Sequence, residues 1–246
     1  MTPSHIGIVA CSAEGAALCY RTICLEAIPR LGPHDHPRIT LSAIPMARHM
    51  ECIRRNDWSG VADLLLDGAM EVARAGAAFA ICPDNTVHQA FPELLPRSPL
   101  PWLHIAEVVA DEAERRRFRR LGVLGTRYLM EGPVYRETLA RRNFEMRLPS
   151  EAGRAAVDRA IFEELVNAVF TDGTRRMFLE EIAKLREQGC DAAVLGCTEI
   201  PLIVRPEESP LPTLDSTRLL ARAALDRALG GEVTAAPGWA APSSRR

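Results

Sequence analysis

The residue best suited to chemistry is Cys197, which is followed by Thr198 and Glu199. A short apolar run bounded by glycines precedes it and predicts a buried strand. The thiol then follows the carboxyl end of a strand, where open α/β sheets bind ligands. Backbone N–H groups and a hydroxyl at such a turn lower a thiol pKa, which suits acid–base or nucleophilic chemistry. A buried structural cysteine is the alternative, and Cys197 alone does not decide between the two.

An internal repeat makes Asp84 the second candidate. A helix-ending glycine precedes each strand, so that Gly76 lies eight residues before Asp84 and Gly189 lies eight residues before Cys197. The first strand of each half precedes its glycine by a similar distance, 69 and 67 residues. This register sets Asp84, not Cys82, opposite Cys197. Two similar α/β halves that each present one proton-carrying side chain predict a two-sided site.

Polar residues follow Asp84 directly. Asn85 and Thr86 have the types of helix caps, and as ligands they would offer amide, hydroxyl and N–H groups to a carboxylate at a helix N-terminus. His88 falls one turn farther on, where it either points towards the site or packs in the core. The sequence leaves both questions open.

Composition excludes several classes of partner. The chain has 246 residues, of which 47% are hydrophobic and 25% charged, as in ordinary globular proteins. A net charge of −2 provides no electrostatic attraction for nucleic acid or an anionic membrane. No apolar run is long enough to span a bilayer, and no signal peptide is recognisable. Seven cysteines, several on or beside buried strands, are typical of a cytoplasmic protein with free thiols.

The cofactor and metal motifs are incomplete. A dinucleotide fingerprint needs three glycines after the first strand, and only Gly7 and Gly15 are present. His34 and His36 lie in a turn-rich loop without a further ligand at metal-binding spacing. We therefore predict neither a cofactor nor a metal.

The order of elements predicts two halves and a tail. Residues 1–110 form a first α/β half and residues 111–211 a second. A last strand over Leu211–Asp215 is expected to rejoin the first half, which residues 212–229 complete. Glycine, proline, alanine and serine dominate residues 230–246, which predicts a disordered tail.

The chain resembles the aspartate/glutamate racemase superfamily, and more closely its cofactor-independent aspartate and broad amino-acid racemases. Four stretches carry the resemblance: residues 83–88 (PDNTVH), 124–130 (LGTRYLM), 162–165 (FEEL) and 196–200 (GCTEI). The resemblance implies two pseudo-symmetric Rossmann-like three-layer α/β halves, with the active site in the cleft between them, and a homodimer. It also implies proton exchange at the carbon next to a carboxylate, without pyridoxal phosphate or metal.

The same resemblance assigns the site residues. The second catalytic thiol of the family falls on Cys197, and the first falls on Asp84, where the usual occupant is Cys or, in some members, Thr. The amino-terminal Gly-Gly-Met/Thr loop of the family is altered here to Ala10-Cys11-Ser12.

Racemisation removes a proton from one face of a carbon and delivers one to the other, so Asp84 and Cys197 are the expected pair of bases. The expected substrate is an acidic amino acid, aspartate or glutamate. Its binding residues are then Cys11, Ser12, Asn85, Thr86, Thr126, Thr198 and Glu199.

Three other functions remain open. With one working thiol the protein would decarboxylate a malonate-like acid or isomerise a dicarboxylic acid between cis and trans, as relatives in the superfamily do. A racemase acting on a hydantoin is a second alternative, and a non-catalytic amino-acid-binding protein is a third. The residues Cys197, Thr198 and Glu199 argue against a binding protein, whereas Asp84 is compatible with the decarboxylase and isomerase.

Overall fold

The computed structural model describes residues 2–231, which divide into two compact units. The first unit runs to Ile105 and resumes at Leu220, and the second is Ala106–Leu219. Each unit is an α/β structure with an entirely parallel sheet. The predicted fold class, with two similar α/β halves, is confirmed.

The elements of the first unit alternate between strand and helix. In order they are β1 (Ile6–Ala10), α1 (Ala13–Leu31), β2 (Ile39–Ala43), α2 (Met46–Arg54), α3 (Trp58–Arg74), β3 (Phe79–Ile81), a 3₁₀ helix (Thr86–Ala90) and α4 (Phe91–Leu94). The sheet order is β2-β1-β3. Trp102 adds a single parallel bridge to Ala80 of β3, where the sequence predicts a short strand over residues 103–105.

Helix α3 covers this sheet with the apolar face that its spacing predicts. Val61, Leu65 and Val72 lie on that face and are completely buried in the core of the unit. The carboxylate of Asp57 caps the helix by accepting a hydrogen bond from the Gly60 N–H at 2.8 Å. A capped start and one apolar face explain why these residues form a helix against the sheet.

The second unit repeats this plan. Its elements are α5 (Ile105–Arg115), β4 (Arg120–Leu124), α6 (Arg127–Glu131), α7 (Pro133–Arg141), β5 (Glu145–Arg147), α8 (Glu151–Glu163), a 3₁₀ turn (Leu165–Asn167), α9 (Asp172–Glu187), β6 (Ala192–Leu195), α10 (Ile200–Ile203), β7 (Thr213–Asp215) and the start of α11 (Ser216–Ala228), whose remainder belongs to the first unit. The sheet order is β5-β4-β6-β7.

Strand β7 corrects the predicted division of the chain. It pairs with β6 in the sheet of the second unit, and the Ala193 N–H donates to the Pro212 carbonyl at 2.9 Å. The prediction that this strand rejoins the first half is therefore wrong. The chain instead passes to the first unit within α11, at Leu220. The predicted disordered tail, apart from Gly230 and Gly231, lies outside the described residues.

Candidate active site

The turn after β6 holds Cys197, and two glycines determine its path. A side chain on Gly196 would place its Cβ 2.9 Å from the Leu124 carbonyl oxygen and 2.6 Å from Leu129 Cδ2. A side chain on Gly125, after the neighbouring strand β4, would lie 3.1 Å from the Gly196 oxygen. The Gly196 N–H also donates to the Leu124 carbonyl at 2.7 Å. Because these two strand ends approach so closely, Cys197 leaves the sheet in a defined direction, and it is half-buried.

A carboxylate lies directly against this thiol. The Cys197 Sγ is 2.9 Å from Oε2 of Glu199, in the geometry of a thiol that donates to a carboxylate. Glu199 is only 3% exposed, so this contact is largely shielded from water. A carboxylate that accepts the hydrogen bond of the thiol fixes the direction of the S–H group. The predicted role of Glu199 in substrate binding stays a prediction. The sequence gives no signal for its contact with the thiol.

The other predicted residues of the second unit lie at the same strand ends. Thr198 is buried beside the thiol. Thr126 is half-buried and caps α6, because its Oγ1 accepts the Leu129 N–H at 3.3 Å. Their roles in binding substrate stay predictions.

In the first unit, the turn after β3 holds Asp84. Its side chain is half-buried, and Oδ1 accepts the Val87 N–H at 3.2 Å. Asp84 therefore caps the 3₁₀ helix Thr86–Ala90, whereas the sequence favours Asn85 and Thr86 as caps. Asn85 makes no capping hydrogen bond with its side chain and is buried.

Two cysteines lie below this turn. Cys82 is completely buried and Cys11 is 7% exposed, with their sulfur atoms 3.9 Å apart. The hydrogen bond to Cys82, burial, and the nearby charge of Asp84 raise the pKa of Cys11 well above its ordinary value. Cys11 is therefore a neutral thiol packed against a second thiol, and its contact with substrate stays a prediction. The repeat register, which sets Asp84 rather than Cys82 opposite Cys197, gives Cys82 no role in the site.

Ser12 is the remaining predicted residue, and it caps α1. Its Oγ accepts the Gly15 N–H at 3.2 Å, as Thr126 caps α6 in the second unit. The repeat register equates Thr126 with Cys11, but the equivalent cap is one residue later. The loops after β1 and β4 each contain two residues, so the two caps are equivalent in the structure and the repeat register is offset by one residue at this point.

His88 is buried at 2% exposure, which decides between the two positions that the sequence leaves open. Its Nδ1 lies 2.7 Å from the Asp84 carbonyl oxygen, and its Nε2 accepts the Ile105 N–H at 3.2 Å. Burial first, and the nearby His104 second, hold the pKa of His88 well below its usual value. The imidazole is therefore neutral and hydrogen-bonded at both nitrogens.

Two further observations concern partners outside this site. Within residues 2–231, the His, Cys, Asp and Glu side chains form no group of three or more that is arranged to hold a metal ion. None of the helices in the same range combines the length and the apolar character that a bilayer span requires.

Several known proteins are similar to this chain in both sequence and fold. The chain is 24% identical over 190 residues to the broad specificity amino-acid racemase RacX of Bacillus subtilis, a match that covers 76% of this chain and 80% of RacX. A crystal structure from Yersinia pestis assigned to the Asp/Glu racemases is 30% identical, with a TM-score of 0.83 over 92% of this chain and 99% of that one. An aspartate racemase homologue from Pyrococcus horikoshii is 25% identical, with a TM-score of 0.80 and the same coverage of both chains. The sequence model of the Asp/Glu/hydantoin racemase family matches residues 8–224, most of the chain, and the protein therefore belongs to this family.

Proposed function

We propose that the protein is a cofactor-independent racemase of an acidic amino acid, aspartate or glutamate, with Asp84 and Cys197 as its two bases. The observation that supports this most is the contact of the Cys197 thiol with the buried carboxylate of Glu199. A half-buried thiol at a strand end, held in one direction by this hydrogen bond, is placed as a group that transfers protons has to be.

The proposed reaction moves one proton off the α-carbon and another onto it. In one direction, the Cys197 thiolate takes the α-proton and forms an S–H bond, while the electrons of the C–H bond spread into the substrate carboxyl group. Asp84, in its protonated form, donates its proton to the opposite face and becomes a carboxylate. The product is the enantiomer, and the enzyme now holds a thiol and a carboxylate, which is the starting state for the reverse direction.

The residues around these bases have supporting roles in the proposal. Glu199 accepts the hydrogen bond of the Cys197 thiol and so holds the sulfur in position. Asn85, Thr86, Thr126 and Thr198 provide hydrogen bonds to the substrate carboxylate, and these strengthen as negative charge develops on it. Ser12 contributes a further hydroxyl at the end of β1.

We include a cytoplasmic location and a homodimer in the proposal. All seven cysteines are free thiols, which suits a reducing compartment. The homodimer rests on the resemblance to the family.

The test is exchange of the α-proton in deuterated buffer. Chelator-treated protein without pyridoxal absorbance is incubated with the L- and D-forms of aspartate, glutamate and a panel of neutral and basic amino acids. Proton NMR measures loss of the α-proton, and chiral chromatography measures inversion. We expect exchange and inversion with an acidic amino acid, and slower exchange in Glu199→Gln, because a neutral amide oxygen holds the thiol less strongly than a carboxylate does.

A matched Cys197→Ala preparation controls for contaminating racemases. If no amino acid exchanges its α-proton while an arylmalonate, maleate or a hydantoin is turned over, the proposal is wrong. The decarboxylase, isomerase or hydantoin racemase function then takes its place, according to which of these compounds reacts. Binding of an amino acid without any exchange would identify a binding protein.

A further inference from the structure

We infer that His88 is a positioning residue, which fixes the main chain at Asp84 through its neutral imidazole and so holds that carboxyl group in place for proton transfer. The inference deepens the proposed racemase function and rests on it for the role of Asp84. His88 does not itself carry the proton in this assignment.

The hydrogen bonds allow one tautomer of the ring. The Ile105 N–H donates to Nε2 at 3.2 Å, so this nitrogen has no proton. The proton is then on Nδ1, which donates to the Asp84 carbonyl oxygen at 2.7 Å. Protonation at Nε2 would set two donors against each other, although the Leu103 carbonyl, which also lies against the ring, would then accept that proton. Burial of the ring disfavours the charged form.

The hydrogen bond from the His88 ring is one of two that hold Asp84. Val87 is the second residue of the 3₁₀ helix, where an N–H has no carbonyl partner within the helix, and the carboxylate Oδ1 of Asp84 accepts this N–H at 3.2 Å. The Asp84 carbonyl receives a hydrogen bond from the His88 ring instead. One residue is thus held at two points, by its carboxylate and by its carbonyl, within a single turn.

Aromatic packing keeps the imidazole in this position. The ring of Phe91 stacks on His88 with centroids 4.1 Å apart, and His104 meets it edge-on at 4.7 Å. Phe91 in turn packs edge-on against Trp102, which bridges to β3. The strand that delivers Asp84 and the ring that holds it therefore belong to one packed cluster.

Two substitutions separate the two hydrogen bonds of the ring. His88→Asn places an amide N–H near the position of Nδ1 and preserves the bond to Asp84, whereas His88→Gln places an amide oxygen near Nε2 and preserves only the bond from Ile105. Exchange of the α-proton is measured for each enantiomer separately, together with the melting temperature. We expect His88→Gln to slow exchange of the enantiomer served by Asp84 by about 10²-fold, the effect of misplacing a catalytic group by an ångström. The other enantiomer and the His88→Asn variant should change much less.

A merely structural role would lower both exchange rates together, along with the melting temperature. An unchanged ratio of the two rates in His88→Gln overturns the inference. Long-range ¹H–¹⁵N NMR of the unmodified protein provides a readout that needs no activity and no variant. It should show a protonated Nδ1 and an unprotonated Nε2; the opposite tautomer, or a charged ring near neutral pH, overturns the inference even if both variants fail to fold. The expected tautomer in a protein without α-proton exchange would show that the racemase proposal has failed while the His88 contacts stand.

Discussion

The two units build the same scaffold from different residues. In each, a glycine of the central strand pairs with an alanine of the strand that leads to the proposed base, Gly7 with Ala80 and Gly122 with Ala193. The helix before that strand lies on the glycine. An added Cβ would be 2.6 Å from Val72 Cγ2 at Gly7 and 2.7 Å from a Leu185 methyl group at Gly122. The repeat therefore extends from the sequence into the packing of the core.

The turns at the ends of these strands differ in the group that forms a hydrogen bond with each proposed base. The Asp84 carboxylate accepts a hydrogen bond from a backbone N–H, while the Cys197 thiol donates one to Glu199. In the repeat register, Thr86 stands where the second unit has Glu199. An isolated thiol has a pKa of about 8.5 and an isolated aspartate about 3.9, so the two side chains differ greatly in acid strength before their surroundings act on them. The difference shows one scaffold adapted to two acids of unequal strength.

The anchoring of the two turns follows the same rule with different atoms. His88 ties the Asp84 turn to the N–H of Ile105, the first residue of α5. In the second unit, the hydroxyl of Ser216, the first residue of α11, donates to the Leu195 carbonyl at 2.8 Å. In each unit, a hydrogen bond thus connects the turn, or the strand end before it, to the first residue of a later helix, α5 or α11. The position of the base depends on long-range contacts in both units.

The largest expected effect comes from removing the second base. Cys197→Ala should abolish racemisation, because it removes the thiol that is proposed to take the α-proton. The loss should reach or exceed the upper end of the roughly 10²–10⁴-fold range for a general acid or base. Chiral chromatography of the reaction products measures it.

The matched control is Cys82→Ser, which changes the buried cysteine two residues before Asp84. We expect it to destabilise the fold, because a hydroxyl replaces a buried thiol, and to retain most of the activity of the folded fraction. Equal losses in the two variants, with intact folding by circular dichroism, would disprove the register that equates Asp84 with Cys197.

The next effect separates the two bases. Asp84→Asn preserves the size of the side chain and an acceptor for the Val87 N–H but removes one proton carrier. Racemisation should fall by about 10²–10⁴-fold. Cys197 would still exchange the α-proton of the enantiomer that it serves, so deuterium should enter one enantiomer with little inversion. Cys197→Ser should favour the opposite enantiomer.

Proton NMR of each pure enantiomer in deuterated buffer measures this asymmetry. Should Asp84→Asn racemise at the parental rate, Asp84 is a helix cap or a substrate contact. A mechanism with one base would then replace the proposed mechanism with two.

The smallest expected effect is on stability and concerns the scaffold alone. Gly7→Ala and Gly122→Ala each add a methyl group to a filled core, for which a cost of about 1–3 kcal/mol is usual. Gly7→Ala should cost more. At both glycines the added Cβ also meets a side-chain Cβ, that of Val72 at 3.0 Å or that of Leu185 at 3.1 Å. The nearest atom, however, is a methyl group of the β-branched Val72 at Gly7 and a methyl group at the end of the more flexible Leu185 side chain at Gly122.

Urea unfolding of the two variants provides the measurement, and α-proton exchange by the folded protein should be nearly unchanged. An equal or larger cost at Gly122 would contradict the difference in packing between the two units.

Local pattern was enough to predict much of this arrangement. The two helix-ending glycines, Gly76 and Gly189, both adopt positive φ, 92° and 80°, and each is followed by a buried strand. Counting from these glycines identified Asp84 and Cys197 as equivalent before any contact was known. The apolar spacing of α3 likewise predicted its buried face. Such features depend on residues a few positions apart, which the sequence displays directly.

The errors share a physical cause. The strand at residues 213–215 has the composition of a buried strand, but whether it joins the first or the second sheet depends on which strand edge is open. Asp84 rather than Asn85 caps the 3₁₀ helix because the path of the turn brings its carboxylate to the Val87 N–H. Composition favours either residue, and only the backbone geometry distinguishes them.

The sequence by itself thus determined the α/β class, the repeat and the two residues proposed as bases, because these follow from periodicity and spacing along the chain. Only the tertiary structure decided which groups surround those residues: the carboxylate beside Cys197, the thiol pair below Asp84 and the imidazole that holds its carbonyl. The two thiols meet because β1 and β3 are neighbours in the sheet. The other two contacts lie within single turns, where the direction of each side chain decides which atoms meet. A linear pattern names the residues at a strand end, but hydrogen bonds and packing across the fold determine which protons they can exchange.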